Sequence, residues 1–308
     1  MKNSIVDVPG VRVGHAHDLN AATGCTVVTF GTLGAVCGVD VRGSAPGTRE
    51  TDALAPTAHV EVVHAIVLTG GSAYGLDAAG GVMAELEARG IGYAVGPWRV
   101  PIVPAAVIFD LFAGDGHIRP DRAMGAAALR AASDTPPEEG RFGAGAGALV
   151  AKLAGLERAR RGGIGSASVT HGEVVVGALA VCNALGNVYD PLDGMLVAGP
   201  APAASGAAFD EHAALAAPPA VAPGPNTTLA IVATNVRLRK VDATKVAQMA
   251  HDGLARAVVP AHLTRDGDTI FACSTGALEA PVDLVGVLGA EAVALAIARG
   301  VRAANASG

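Results

Sequence analysis

The chain has 308 residues, is 51% hydrophobic and only 3% aromatic, and carries a formal net charge of −6. This length suits one or two α/β domains with a large aliphatic core, and an acidic balance without a basic patch argues against a nucleic-acid partner. The start of the chain lacks an apolar signal-peptide core and no apolar run is interpreted as membrane-spanning, so we expect a cytoplasmic protein with no membrane partner. Four widely spaced cysteines in apolar runs predict buried reduced thiols at Cys25, Cys37, Cys182 and Cys273.

Strands and helices alternate in the first part of the chain. Apolar, β-branched runs predict strands at Cys25–Phe30, Ala35–Val41 and Val62–Thr69. Apolar residues at helical spacing predict helices over Tyr74–Arg89 and Arg122–Ala132. This alternation is typical of an α/β fold.

The middle of the chain contains a predicted hairpin and then a change of composition. Ile164–Thr170 and Glu173–Val181 are strand-like runs on either side of a His-Gly turn. Over Gly199–Asn226, 11 of the 28 residues are Ala and six are Pro. Because proline cannot join a sheet ladder and breaks helices, this segment is predicted to be a mobile linker with a short helix near Glu211–Ala217. A short basic run is interpreted as a solvated turn at Arg158, Arg160 and Arg161.

Regular structure resumes at the end of the linker. Thr227–Thr234 reads as a buried strand, and Thr244–Val258 as a helix with apolar residues on one face. Thr269–Ser274 is a further strand, and Val282–Ala304 contains one or two helices. No internal repeat of about 20 to 50 residues is visible.

The junction between linker and strand offers a threonine for self-cleavage. Thr227 follows Asn226 at the first position of the strand. A threonine hydroxyl beside a strained carbonyl can attack it in an N-to-O acyl shift, and hydrolysis of that ester makes Thr227 a new N-terminus. Its α-amine, with an ordinary pKa of about 7.7–8.0, is then a general base for its own hydroxyl. The alternative is structural, since threonine favours strands and polar residues commonly flank them.

Eight segments in a fixed order connect the chain with a known family. They are VDVPGVRVGH (Val6–His15), PGTRETDAL (Pro46–Leu54), LTGGSAYGLDAA (Leu68–Ala79), VPAAVIFDL (Val103–Leu111), GAGAGALVAK (Gly143–Lys152), CNALGNVYDP (Cys182–Pro191), NTTLAIVATN (Asn226–Asn235) and DGDTIFACSTG (Asp266–Gly276). On these segments the chain resembles the P1 family of peptidases, also called the S58 or DmpA-like aminopeptidases, which include β-peptidyl aminopeptidases and the nylon-oligomer hydrolase. Any one segment is a weak signal, whereas their shared order is specific.

The resemblance implies a fold and an activity. The fold is a single α/β catalytic domain over residues 1–308, a layered αββα sandwich of the DmpA/ornithine-acetyltransferase type. It is similar to N-terminal-nucleophile hydrolases and is self-cleaved into residues 1–226 (α subunit) and 227–308 (β subunit). The activity is an aminopeptidase or amidase, without cofactor, that cleaves short peptides or amino-acid amides through an acyl-enzyme on Thr227. Relatives imply a homo-oligomer, a tetramer of processed αβ units. The alternatives are an acyltransferase of ornithine acetyltransferase type, although its lysine-glycine-methionine run is not found, and a non-catalytic uncleaved homologue.

The resemblance also implies individual catalytic residues. Thr227 matches the nucleophile, and its rival Thr228 should point to the other face of the strand. Asn183 matches an asparagine that stabilises an oxyanion, although it can also merely cap a strand. Lys152 matches a lysine whose charge would lower the pKa of the amine, with a solvent-exposed strand end as the alternative.

A pair of acidic residues completes the expected catalytic set. Asp266 and Asp268 are two residues apart, so in an extended segment both carboxylates should face Thr227, and their repulsion should raise one pKa. The alternative is an ordinary turn around Gly267. Two aspartates match the nylon-hydrolase branch better than branches with Ser and Glu, which leaves open whether a free substrate amino terminus is preferred.

Two further motifs are candidate binding sites, one for a substrate group and one for a metal ion. Gly71, Ser72 and Tyr74 lie between a strand and a helix N-terminus, a place suited to a substrate carboxylate or carbonyl, unless packing alone explains the glycines. Tyr74 replaces the last glycine of a nucleophile elbow, so Ser72 is not expected to be a nucleophile. His15 and His17 form a spaced pair, but no third ligand is evident and no metal is predicted.

Overall fold

The computed structural model of the protein describes residues 1–203, 209–216 and 226–306. Within these residues the α-helices are α1 (Ala78–Ala88), α2 (Arg122–Arg130), α3 (Glu211–Ala216), α4 (Lys240–Ala257) and α5 (Val282–Asn305). Short 3-10 helices lie at Ile5–Asp7, Thr51–Leu54, Ser72–Asp77, Gly143–Gly145, Lys152–Ala154 and Leu156–Arg158.

The strands alternate with these helices along the chain. They are β1 (Arg12–Asp18), β2 (Thr23–Thr29), β3 (Ala35–Val41), β4 (Thr48–Arg49), β5 (Val62–Val63), β6 (Ala65–Thr69), β7 (Tyr93–Val95), β8 (Trp98–Val100), β9 (Ala105–Val107), β10 (Leu149–Val150), β11 (Arg160–Arg161), β12 (Gly163–His171), β13 (Val174–Asn183), β14 (Asn187–Tyr189), β15 (Leu196–Ala198), β16 (Thr227–Val236), β17 (Val258–Val259) and β18 (Thr269–Leu278).

Two large sheets form the centre of the molecule. The five-stranded sheet has the order β1-β2-β6-β9-β4, with a parallel pair at β6–β9. The six-stranded sheet has the order β12-β13-β16-β18-β3-β5, with a parallel pair at β16–β18. The predicted hairpin is confirmed as β12 and β13, which pair antiparallel from Gly163 opposite Cys182 to His171 opposite Val174.

Three apolar clusters order these elements into four layers. One cluster joins the facing sides of the two sheets, with Leu68 from the five-stranded sheet and Leu229, Ile231 and Phe271 from the six-stranded sheet. Another packs α4 and α5 on the outer face of the six-stranded sheet, and a third packs α1 and α2 on the outer face of the five-stranded sheet. The predicted αββα sandwich is therefore confirmed.

The structure refines several predicted elements. Val62–Thr69 is not one strand, because it divides at His64 into β5 and β6, which belong to different sheets. The helix predicted over Tyr74–Arg89 begins with a 3-10 segment and becomes α-helical only at Ala78. A continuous apolar run does not reveal such a change of partner, since both halves are buried.

The C-terminal helix α5 is long and apolar. It is the one helix of the described residues whose length and composition would suffice to cross a membrane. In the fold, α5 packs against α4, β12 and β13, and 72% of its most apolar window is buried inside the protein. This burial accounts for the apolar sequence as that of a core helix.

The linker enters the structure along a basic segment. The guanidinium of Arg158 donates to the carbonyl of Ala201 at 2.7 Å, and that of Arg160 donates to Gly199 at 3.3 Å. The interpretation of this basic run as a solvated turn was therefore wrong for the half-buried Arg158, whereas Arg160 is exposed to solvent and lies in β11. Helix α3 lies at the predicted linker helix, and residues 204–208 and 217–225 of the predicted linker lie outside the described residues.

Candidate active site

The junction of Asn226 and Thr227 lies at the N-terminal end of β16, inside the molecule. Asn226 is fully buried and Thr227 is 3% exposed. Along β16 the side chains of Leu229 and Ile231 enter the core between the sheets, and Ala230 enters the core under the helices. By this alternation Thr227 points between the sheets and Thr228 points toward the helices, as predicted.

The carbonyl between these residues is held by two donors. The Thr227 hydroxyl donates to the oxygen of Asn226 at 2.6 Å, and the backbone N–H of Gly267 donates to the same oxygen at 2.7 Å. A Cβ added to Gly267 would lie 2.7 Å from Thr227 Oγ1 and 2.8 Å from the Ala45 oxygen. Glycine is therefore required here, because any side chain would occupy the space of the hydroxyl.

Asn183 lies directly opposite Thr227. The two residues are paired across the antiparallel strands β13 and β16, which places both side chains on the face between the sheets. The side-chain oxygen of Asn183 accepts the N–H of Leu149 at 2.9 Å, and its NH₂ group donates to the carbonyl of Phe109 at 3.2 Å. This network fixes the amide beside the threonine and leaves one of its two N–H donors for a further acceptor.

Lys152 is buried beside Asn183, so the solvent-exposed alternative was wrong. It follows a left-handed residue, Ala151, whose φ is 56°, and this turn directs the lysine into the protein. The ammonium donates to the backbone oxygen of Asn183 at 2.8 Å and to its side-chain oxygen at 3.2 Å. Burial lowers the pKa of Lys152 to about 7, because desolvation of the charged form outweighs attraction by Asp266 and Asp268.

The loop with the two aspartates is pinned by its backbone. The backbone N–H groups of Arg42 and Gly43 donate to the backbone oxygen of Asp268. The backbone N–H of Ala45 donates to the backbone oxygen of Asp266. This pairing continues the ladder between β3 and β18 beyond the ends of both strands. The loop is therefore a rigid extension of the six-stranded sheet.

The two carboxylates share one side of the chain, but that side is not the one predicted. A carboxylate oxygen of Asp268 accepts the backbone N–H of Thr228 at 2.7 Å. The Thr227 hydroxyl donates to the Asn226 carbonyl, and among the described residues it makes no hydrogen bond to either carboxylate. Gly267, between them, is the residue that faces this hydroxyl. The expectation that both carboxylates face Thr227 was wrong, because the alternation of an extended segment gives that position to the central residue.

Asp266 has the less favourable surroundings of the pair. Its Oδ2 accepts the N–H of Leu263 at 2.8 Å, while Oδ1 is buried without a hydrogen-bond partner among the described residues. Burial, and then repulsion by Asp268, raises the pKa of Asp266 to about 6. Both side-chain atoms of neighbouring Asn226 are also buried and unpartnered within the same residues. Such a cluster is typical of a reactive site rather than a structural one.

The turn after β6 holds an internal anion. The N–H of Gly71 donates at 2.7 Å to Asp110, whose other oxygen accepts the hydroxyl of Thr23 at 2.7 Å. The N–H of Ser72 donates to Ile108, and the exposed ring of Tyr74 lies 3.8 Å under the guanidinium of Arg119. The anion position offered by Gly71 is thus filled by the chain itself, and substrate binding by Gly71, Ser72 and Tyr74 stays a prediction.

A shallow cleft opens beside Lys152 and Asn183. It encloses about 270 Å³ of empty space, part of it open to solvent. Its other walls are mostly apolar: Phe109, Phe112, Ala113, Leu149 and Leu156. Phe109 and Phe112 contact edge to face at 5.1 Å. The cleft reaches Lys152 and Asn183, and Asn183 is paired with Thr227 across β13 and β16.

His15 and His17 lie elsewhere, at a second cavity beside α2. Nδ1 of His15 is bonded to the hydroxyl of Thr26 at 2.9 Å, and Nδ1 of His17 accepts the N–H of Gly143 at 3.4 Å. Among the described residues no group of three potential ligands is placed to hold a metal ion.

Sequence reasoning missed His262. Its Nδ1 lies 2.8 Å from Asp268 Oδ2, and its backbone N–H donates to the same oxygen at 3.2 Å. The available signal was its position four residues before Asp266, in a loop short enough to fold back on the aspartates. Phe109 was also missed, because it bonds Asn183 through its backbone and its side chain carries no polar group.

Comparison with known proteins identifies the family. The model of peptidase family S58 matches residues 3–307. The chain belongs to this family. It is 43% identical to an uncharacterized aminopeptidase of Mycobacterium tuberculosis, over 97% of this chain and 93% of the relative. It is 36% identical to a 6-aminohexanoate-oligomer endohydrolase of Kocuria, over 89% of this chain and 76% of the relative.

Solved structures show the same fold in relatives of this S58 member. The β-aminopeptidase of Burkholderia has a TM-score of 0.73 at 23% identity, over 98% of this chain and 87% of the other. The L-aminopeptidase D-Ala-esterase/amidase of Ochrobactrum anthropi, described as a variant of the Ntn-hydrolase fold, has a TM-score of 0.73 at 17% identity, over 98% and 86%. The S58 member is accordingly a hydrolase that acts on peptide or amide bonds.

Proposed function

We propose that this hydrolase creates its nucleophile by cleaving its own chain between Asn226 and Thr227. The main support is the pair of hydrogen bonds that the Asn226 carbonyl oxygen accepts, from the Thr227 hydroxyl at 2.6 Å and from the Gly267 N–H at 2.7 Å. The first contact holds the attacking oxygen against its target peptide, and the second polarises that peptide. Proximity and an aimed donor are the two elements that an acyl shift needs.

The self-cleavage reaction balances with water as its co-reactant. Thr227 Oγ1 loses its proton and bonds to the carbonyl carbon of Asn226, the C–N bond to Thr227 breaks, and the nitrogen leaves as an amine. Water then hydrolyses the resulting ester, so Asn226 ends in a carboxylate and the hydroxyl is restored. Because the carboxylate of Asp266 does not face the hydroxyl, we propose that a bridging water carries the hydroxyl proton to Asp266, whose pKa is raised to about 6, and from there to the leaving nitrogen.

The mature reaction uses the same groups on a substrate. The α-amine of Thr227 takes the proton of its own hydroxyl, which attacks the substrate carbonyl and forms an acyl-enzyme. The free N–H of Asn183 stabilises the oxyanion, and Lys152 keeps the amine unprotonated through its charge. Asp268 holds the backbone of Thr228 and with it the start of β16.

The substrate class follows from the cleft and the relatives. The walls beside Lys152 are apolar, from Phe112 to Leu156, which suits an aliphatic or aromatic acyl group. Asp110 is the one described carboxylate that lines this cleft, and each of its oxygens already accepts a hydrogen bond from the protein. We therefore favour short peptides and ω-amino-acid amides, the linkage of the 6-aminohexanoate oligomers named for one relative.

The assembly is proposed to be a homo-oligomer of processed αβ units in the cytoplasm. The hairpin of β7 and β8 supports an assembly, because it exposes Tyr93, Val95, Trp98 and Val100 to between 39% and 65%. Exposed apolar residues concentrated in this way are typical of protein interfaces.

Product analysis without an added amine tests hydrolysis. Purified protein given a dimer of 6-aminohexanoate should release the free amino acid in buffer that contains no acceptor amine. Strict dependence of turnover on an added amine would contradict the proposal and identify an acyltransferase. A Thr227→Ala sample, prepared in parallel, gives the background.

A further inference from the structure

His262 lies at the end of the six-stranded sheet, where its ring contacts Asp268 and His251. It has a left-handed backbone with φ of 57°, which is uncommon for a residue other than glycine. This conformation turns both its N–H and its ring nitrogen Nδ1 toward Asp268 Oδ2, at 3.2 and 2.8 Å. Backbone strain of this kind persists where the surrounding contacts require it.

The side chain of Asp268 contacts two partners, one through each carboxylate oxygen. Oδ2 receives both groups of His262, and Oδ1 receives the N–H of Thr228 at 2.7 Å. Asp268 is thus a bridge from His262 to the residue that follows Thr227. Since a carboxylate accepts and cannot donate, Nδ1 of His262 must carry its hydrogen.

The surroundings keep the ring in that tautomer. Nε2 of His262 is buried without a hydrogen-bond partner in the described part of the chain, so a second ring hydrogen would have no acceptor there. The ring packs edge to face on His251 of α4 at 4.9 Å. Burial lowers the pKa of His251 to about 4, so its neighbour adds no positive charge near neutral pH.

We propose that His262 is a positioning residue for both self-cleavage and hydrolysis. It holds the carboxylate of Asp268 in place, and through Asp268 it fixes the N–H of Thr228 and the approach of Thr227 to its carbonyl. The inference rests on the proposed function of Thr227. The titratable and charged groups that face His262 are Asp268 and Asp266 of its own loop and His251, which is 3.4 Å from Asp40 near Arg42.

Three substitutions separate this role from a structural one. His262→Gly removes the ring donor without strain in the left-handed conformation. His262→Asn replaces Nδ1 by an amide nitrogen at the same distance from the backbone and tolerates that conformation. His171→Ala, at the exposed tip of the β12–β13 turn, is the matched histidine control.

Self-cleavage of freshly translated full-length chain, followed on denaturing gels against pH, gives the decisive readout. His262→Gly should slow cleavage roughly 10- to 100-fold, because Asp268 loses the ring donor that holds its carboxylate in place. His262→Asn should recover most of the rate, and the mature form should show a lower kcat with KM little changed. Should His262→Gly not fold, His262→Leu provides the donor-free comparison.

The outcomes distinguish the two levels of the argument. If His262→Gly cleaves itself with the rate and pH profile of the wild type, the role of His262 is overturned. The proposed role of Thr227 is not affected by that result. Equal slowing in the Gly and Asn variants also overturns it, since the donor would then be irrelevant. Wild-type protein that never divides overturns the proposed function itself.

Discussion

Two buried carboxylates lie at the ends of the two sheets and have opposite surroundings. Asp110 follows β9 of the five-stranded sheet, and each of its oxygens accepts a hydrogen bond of 2.7 Å, from Gly71 and from Thr23. Asp266 precedes β18 of the six-stranded sheet, keeps one oxygen unpartnered within the described residues and lies beside a second carboxylate. Burial raises the pKa of both groups. From this difference we propose that Asp110 completes the fold, whereas Asp266 takes part in proton transfer.

The largest expected effect comes from the nucleophile. Thr227→Ala should abolish both division of the chain and turnover, because the attacking oxygen is removed. Thr228→Val, which keeps the N–H bonded to Asp268, is the matched control and should still divide. Denaturing gels of both purified variants make the measurement. Two fragments from Thr227→Ala would show that another residue attacks.

The next effect concerns the buried lysine of the site. Lys152→Met should lower turnover by about 10²- to 10³-fold, and the loss of rate that accompanies lysine deprotonation near pH 7 should disappear. A kcat profile between pH 5 and 9 gives both quantities.

Lys240→Met provides the control for burial of a lysine. The ammonium of Lys240 is also buried and donates to the carbonyls of Ala53, Ala58 and Val60. Removing it should lower thermal stability, since three carbonyls lose a donor, while kcat of the folded protein stays near the wild-type value. Equal loss of kcat in both variants would mean that Lys152 acts only through packing.

Matched substitutions test the contrast between the two aspartates directly. Asp266→Asn should slow self-cleavage roughly 100-fold, because an amide cannot take the hydroxyl proton. Asp110→Asn should leave the rate within a few-fold and instead cost about 1 kcal/mol of unfolding free energy, because a hydrogen bond to a charged group is replaced by a neutral one. Rates come from gels, and stabilities from urea unfolding. The reverse pattern would exchange the two roles.

The last prediction concerns a pH-dependent difference in the free energy of unfolding. The folded pKa of Asp266 is raised from 3.8 to about 6, so between these values the unfolded chain loses its proton first and wild-type stability falls as pH rises. Asp266→Asn removes this penalty. In a Thr227→Ala background, which keeps one chain, the variant should match the wild type near pH 3.5 and be more stable above pH 6, by on the order of 2 kcal/mol.

Urea unfolding across this pH range measures the difference. A constant difference between pH 3.5 and 7 would mean that Asp266 titrates alike in the folded and unfolded chain. The pH-dependent part would then belong to other groups of the site.

The sequence predicted the long strands and helices well where the pattern of apolar residues kept a single periodicity. β3 (Ala35–Val41) has the bounds expected from its apolar run, and α5 continues through the region where one or two helices were expected. The division at His64 was invisible, because both halves are apolar and only pairing with different sheets separates them.

The site was predicted as a set of residues rather than as an arrangement. Asn183 and Lys152 do lie together at the start of β16. Both residues were assigned to the site through the resemblance to the family. The side on which Asp266 and Asp268 project, the role of Gly267 and the contact of His262 depend on how a short loop extends two strands. Such geometry is set by tertiary pairing with residues 42–45 and has no local signature.

Intact-mass analysis of the purified active protein tests the central claim most directly. The account predicts two polypeptides, residues 1–226 and 227–308, with a free carboxylate on Asn226 and an unmodified α-amine on Thr227. One unbroken chain of 308 residues in active protein, or a break at any other bond, would contradict it.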